Sequence, residues 1–100
     1  MSVYLPEVKE ELIRLLCDQD RVMKNMTLKY SLLDLESELN NDEEVRDVDT
    51  SNAVSMSVLI LHKTRDYLHS KYIFSNKDTL HLDTNLKNIS AEVLSSLITM

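Results

Sequence analysis

The chain has no glycine and no tryptophan among its 100 residues, one proline (Pro6), one cysteine (Cys17) and only five aromatics. An average sequence of this length carries about seven glycines. Glycine lets a backbone turn left-handed, or press against a phosphate with no Cβ in the way. Its absence excludes the phosphate-cradling G-x-x-x-x-G-K-[ST] loop, the dinucleotide fingerprint and the nucleophile elbow. A lone cysteine excludes an intramolecular disulfide and suits a reducing compartment. Long apolar runs are missing as well. The longest strictly aliphatic stretch, Val58-Leu59-Ile60-Leu61, falls far short of the roughly 20 residues of a membrane span. The first seven residues show no basic start followed by an apolar run, so no signal peptide is read there. The sequons at Asn25 and Asn88 then carry no meaning, and Leu97-Ile98-Thr99-Met100 holds no lipidation or retrieval motif. The expectation is an intracellular chain, cytoplasmic or nuclear, with no membrane contact.

Positive charge is scarce. Eleven Lys and Arg against 17 Asp and Glu leave a formal net charge of −6. The deficit is local: residues 1–50 carry a net −7 and residues 51–100 a net +1. The stretch Asp34–Asp49 alone holds eight acids against Arg46. With no Lys/Arg cluster, direct nucleic-acid binding is not expected, because phosphate neutralisation needs a basic patch.

What the chain does have is leucine, within a hydrophobic fraction of 43%. That supports a single folded domain over residues 1–100, and leucine with few aromatics favours helix over sheet. Pro6 suits a first helical position. Leu5, Val8, Leu12, Leu15/Leu16, Val22/Met23, Met26, Tyr30 and Leu33 follow at spacings of three and four. This predicts one helix over about 6–39, roughly 50 Å long, with Asn25–Thr27 as a place where it could break and recap. Residues 40–51, poor in apolar side chains, read as a flexible acidic loop. Thr50 or Ser51 then caps a second helix running to about Phe74. Val54, Val58, Leu61, Leu68 and Tyr72 form one stripe on it, interrupted by Arg65. Ala53, Met56, Ile60, Tyr67 and Phe74 form another, broken by Lys63 and Lys71. Two stripes imply packing against more than the first helix. Ser75–Asp78 is a turn. Thr79-Leu80-His81-Leu82-Asp83 alternates with period two, so a small β-hairpin near 72–82 is an alternative to helix there. A last helix over about 89–99 is capped by Asn88 or Ser90. The reading is mainly α: two long antiparallel helices plus a short C-terminal helix.

Few residue constellations carry chemistry. His62, Asp66 and His69 share one helix face at i, i+4 and i+7 and resemble a metal-ligand set, but no fourth ligand is marked. An ordinary solvated face is the favoured reading of them. Asp47-Val48-Asp49 starts like a calcium loop and then fails, with Asn52 and Val58 where glycine and glutamate are required. Cys17 sits beside Ile13, Leu15 and Leu16, which predicts a buried, inert thiol rather than a nucleophile paired with a histidine. Ser31 and Ser37 lie beside acids and are candidate phosphate acceptors. Met23, Met26 and Met56, with Tyr67, Tyr72 and Phe74, suit either a core or a partner groove.

These readings favour a non-enzymatic helical interaction subunit or adaptor, free of cofactor and metal. It would bind other protein chains or itself through Met56, Ile60, Tyr67, Tyr72 and Phe74 of the second helix and Val93 and Leu97 of the last. The alternative is an acidic decoy in which Asp34, Glu36, Glu38, Asp42, Glu43 and Glu44 occupy a basic nucleic-acid-binding site on a partner. A metal-dependent activity on the second helix is the third reading.

Overall fold

The computed structural model describes residues 5–23 and 30–98, with side chains described from Pro6 to Ser96 within those ranges. Helix α1 spans Leu5–Leu16, with Glu7 in its first turn and Arg14 in its last, as the helix dipole favours. Val8, Leu12, Ile13 and Leu16 are buried along one face. The apolar spacing continues beyond Leu16, but the helix does not. Asp18 N donates to Leu15 O at 3.2 Å, a tightened final turn, and the Asp18 carboxylate accepts from Arg21 N at 3.2 Å. An aspartate side chain that caps a new turn competes with helix continuation. Helix α2 (Gln19–Met23) starts there and buries Val22. The single helix expected over 6–39 is therefore broken at Asp18. The recapping expected at Asn25–Thr27 lies outside the described residues.

The expected acidic loop is largely helical. Helix α3 (Leu35–Asn41) buries Leu35 and Leu39, and helix α4 (Glu43–Asp47) buries Val45. Asp42 separates them and caps α4, accepting from Val45 N at 3.1 Å. Glu36, Glu38, Glu43 and Glu44 fall in first turns, where exposed N–H groups favour negative charge. Lys9 of α1 reaches across to donate to Val45 O at 3.3 Å, tying α4 to the core.

Helix α5 (Ala53–Lys71) is capped by Asn52, which accepts from Ser55 N at 3.0 Å. Ser51, an expected cap, instead turns its N–H and hydroxyl to the Asp49 carboxylate. Helix α6 (Asn76–Ile98) is the longest of the six described helices, at 23 residues. Ser75 Oγ accepts from Asp78 N at 3.1 Å and so caps its start. No strand occurs among the described residues, and the hairpin near 72–82 is not formed. Leu82, Leu86, Ile89 and Val93 all bury at helical spacing. That burial outweighs a five-residue alternation whose Leu80 is exposed. The short C-terminal helix is thus a long one.

Helix α1 packs on α6, α5 and α3, while α5 also meets α3, α4 and α6. The molecule measures 42 × 28 × 20 Å, too short for a 50 Å helix. The buried row and both flanks of α5 meet other helices, which accounts for most of its wide apolar pattern, while Val54 and Val58 stay exposed. Met56, Ile60, Thr64 and Leu68 form the buried row. Thr64 is tolerated there because its hydroxyl donates to Ile60 O at 2.8 Å within the same helix. Lys63 and Lys71 lie on the flank toward α3 and α4, where their ion pairs form. Leu61 and Arg65 lie toward α6. The link between α5 and α6 is clasped by tyrosines. Tyr30 OH donates to Ile73 O at 2.8 Å, and Tyr72 OH donates back to Ser31 O at 2.9 Å. Tyr30 packs on Phe74 and Tyr72, with centroids 4.6 and 4.9 Å apart.

Candidate functional site

The two flanks of α5 differ in chemistry. On the α6 side lies a cleft of about 200 Å³, lined by Val58, Leu61, His62 and Arg65 of α5 and by Asp83, Leu86 and Lys87 of α6. Leu86 is fully buried and Leu61 half-buried, so the interior is apolar. Val58 is 47% exposed on the rim. By helical phase, Val54 extends the Val58 row by one turn, and Leu80 extends the Asp83–Lys87 row by one turn. Val54 is 69% and Leu80 67% exposed. The polar side chains of the lining are His62, Arg65, Asp83 and Lys87. Arg65 Nε lies 2.7 Å from Asp83 Oδ1. Both atoms are buried, and the contact is a charge contact rather than a well-directed hydrogen bond. His62 and Lys87 are exposed.

On the opposite flank, α3 faces α5 through an ion-pair ladder. Lys71 Nζ lies 3.2 Å from Asp34 and donates to Tyr67 OH at 3.0 Å. Lys63 Nζ lies 3.2 Å from Asp42 and 3.0 Å from Glu44. Hydrogen bonding to Glu44 first, and then to Asp42, raises the Lys63 pKa. Tyr67 first, and then Asp34, raises that of Lys71. For Asp42, burial pushes the carboxyl upward, but the Val45 N–H and the Lys63 ammonium together outweigh it and hold the pKa below its ordinary value.

Several residues expected at a partner surface belong to the interior. Met56 and Ile60 are fully buried and Val93 is 4% exposed, because α5 and α6 turn these rows onto the chain's own core. Tyr67, Tyr72 and Phe74 are half-buried. Tyr67 serves the ladder, while Tyr72 and Phe74 serve the tyrosine clasp. Met23 packs against the core. Met26 and the Leu97 side chain lie outside what is described. Of the acids, Asp34, Asp42 and Glu44 are paired with lysines, whereas Glu36, Glu38 and Glu43 have no ion pair among the described residues.

His62, Asp66 and His69 are all exposed, and His69 packs on Phe74 with centroids 4.7 Å apart. No group of three His, Cys, Asp or Glu among the described residues is placed to hold a metal ion. Cys17 is half-buried. Burial, with Glu36 adding to it, pushes its pKa up to about 12, so at neutral pH it is a thiol and a poor nucleophile. No described helix is long and apolar enough to cross a membrane.

The groove residues that composition did not single out are Leu86 and Lys87 of α6. The stripe of Val54, Val58 and Leu61 marked the α5 wall. The α6 wall was hidden by reading 79–83 as a strand. Comparison with known proteins finds no matching family model, no matching curated protein and no matching solved structure, so function is argued from this geometry.

Proposed function

We propose that this chain is a non-enzymatic helical interaction subunit, an adaptor that completes a helical assembly with another protein chain through the groove between α5 and α6. The supporting observation is the apolar cleft between two helices whose rim carries the 47% exposed Val58, with the exposed Val54 one turn beyond it along α5. Exposed apolar residues scattered singly need no explanation, but exposed apolar side chains bordering an apolar groove mark an interaction surface. The contact face is therefore shifted about one helical row from Met56 and Ile60.

The acidic-decoy reading is less well supported. Asp34, Asp42 and Glu44 are already engaged by Lys71 and Lys63, which leaves fewer free carboxylates to mimic a phosphate backbone. The two readings separate by affinity capture from the native cell, with wild type, Val58→Asp and a Glu36→Gln/Glu38→Gln/Glu43→Gln variant as baits. The adaptor reading expects a stoichiometric protein partner that Val58→Asp loses and the glutamine variant keeps. The opposite pattern, or equal recovery on all three baits, would overturn it.

A further inference from the structure

The cleft between α5 and α6 has a charge unlike that of the chain around it. The whole chain carries −6. The cleft lining carries Arg65 and Lys87 against Asp83 alone, with His62 beside them. Arg65 meets Asp83 as a charge contact and donates no hydrogen bond among the described residues, so its guanidinium keeps donors to spare. Lys87 and His62 have no hydrogen-bond or ion-pair partner there either. Cationic and neutral donors with capacity to spare thus ring an apolar interior.

Resting on the adaptor reading, we infer that the occupant of this groove is an acidic amphipathic helix of another protein. Aliphatic residues on one face of that helix enter the cleft, and carboxylates beside them meet Lys87, Arg65 and His62. Recognition of this kind reads anchors at i, i+3 and i+4 from a helix laid in a groove. The space fits: a cavity of ~150 Å³ takes a benzene ring, so about 200 Å³ accepts one or two branched aliphatic side chains. The span fits too, because Val58 to Arg65 is two helical turns, about 10 Å.

A second copy of this chain is the wrong occupant on the same grounds. Its acidic helices α3 and α4 have already buried their apolar side chains, with Leu35, Leu39 and Val45 no more than 2% exposed. They would bring carboxylates without anchors. Groove-to-groove pairing would set Lys87 and Arg65 against their own likeness, a repulsive arrangement.

The test uses the full chain and two fluorescein-labelled synthetic helical peptides of one length. Both carry leucines at i, i+3 and i+7, flanked by glutamates in one and by lysines in the other. Fluorescence anisotropy should show the glutamate peptide binding at least about tenfold more tightly than the lysine peptide. Lys87→Glu should narrow or invert that ratio, and Val58→Asp should abolish binding of both, each variant melting as wild type does. Equal binding of the two peptides, a preference for lysine, or no binding of either would overturn the inference. So would a dimer in light scattering that Val58→Asp dissolves, since a second copy would then fill the groove. That last result would also remove the need for a foreign partner. A failed peptide test alongside a partner captured by wild type and lost by Val58→Asp would sink the acidic helix and leave the adaptor reading intact.

Discussion

Single side chains decide where this chain's helices stop and start. Asp18, Asp42, Asn52 and Ser75 each accept a hydrogen bond from the backbone N–H three residues ahead. Such a cap is worth ~1 kcal/mol. Asp42 also carries charge, and its pKa is lowered in the folded state. Its ionic contribution to stability is therefore complete above its unfolded pKa of about 4 and lost as pH falls through the lower folded value. Asp42→Asn keeps an acceptor for Val45 N–H and removes only the charge. Its melting temperature should lie below wild type near neutral pH, and the gap should close once the pH drops well below 4. A gap that persists in acid would mean that the ion pair with Lys63 is not the cause. Cys17 makes a second residue-scale case. With its pKa at about 12, its reaction with a disulfide reagent at pH 8 should be at least about tenfold slower in the native chain than in denaturant. The leucine neighbours point to burial of Cys17, and the structure leaves it half-buried against the core. The cap of α5 was misplaced by one or two residues, because nothing in the sequence says that Asp49 takes up the Ser51 donors.

The helices were legible in proportion to how strongly their ends are marked. For α5, both termini carry polar turns, and its two-stripe pattern correctly implied several packing neighbours. The break at Asp18 was not legible. Apolar spacing runs smoothly across it, and only the local geometry shows the carboxylate capping α2. The long α6 was missed because Thr79–Asp83 alternates like a strand, although Leu82, Leu86, Ile89 and Val93 continue one buried row. Helical phase also misassigned the surface: Met56 and Ile60 were read as contacts and are core. The difference is measurable. Ile60→Ala should cost about 2–5 kcal/mol in denaturant unfolding, as truncation in a packed core does. Val58→Asp, two residues away on the groove rim, should cost less than about 1 kcal/mol. Similar losses for both would place Val58 inside the core and remove the groove as a docking surface.

At the scale of the molecule, α5 separates two unlike flanks. One holds nearly all the acidic run, braced by Lys63 and Lys71; the other holds the apolar cleft with its cationic rim. Net charge alone hid this separation, since Arg65 and Lys87 are far apart in sequence and come together only where α5 lies beside α6. No residue among those described has positive φ, so the absence of glycine reaches beyond excluded motifs. Where a backbone never enters the left-handed region, no turn demands a particular residue for steric reasons. The connections at 48–52 and 72–75 should therefore accept nearly any substitution in a saturation-mutagenesis screen read by protease resistance. The exceptions would be the capping positions Asn52 and Ser75, the clasp residues Tyr72 and Phe74, and Val48, which packs against the core. A turn that instead rejects every β-branched residue would reveal a backbone constraint absent here. What limits substitution in these connections is thus the hydrogen bonds of the caps and the buried side chains, not the backbone's own geometry.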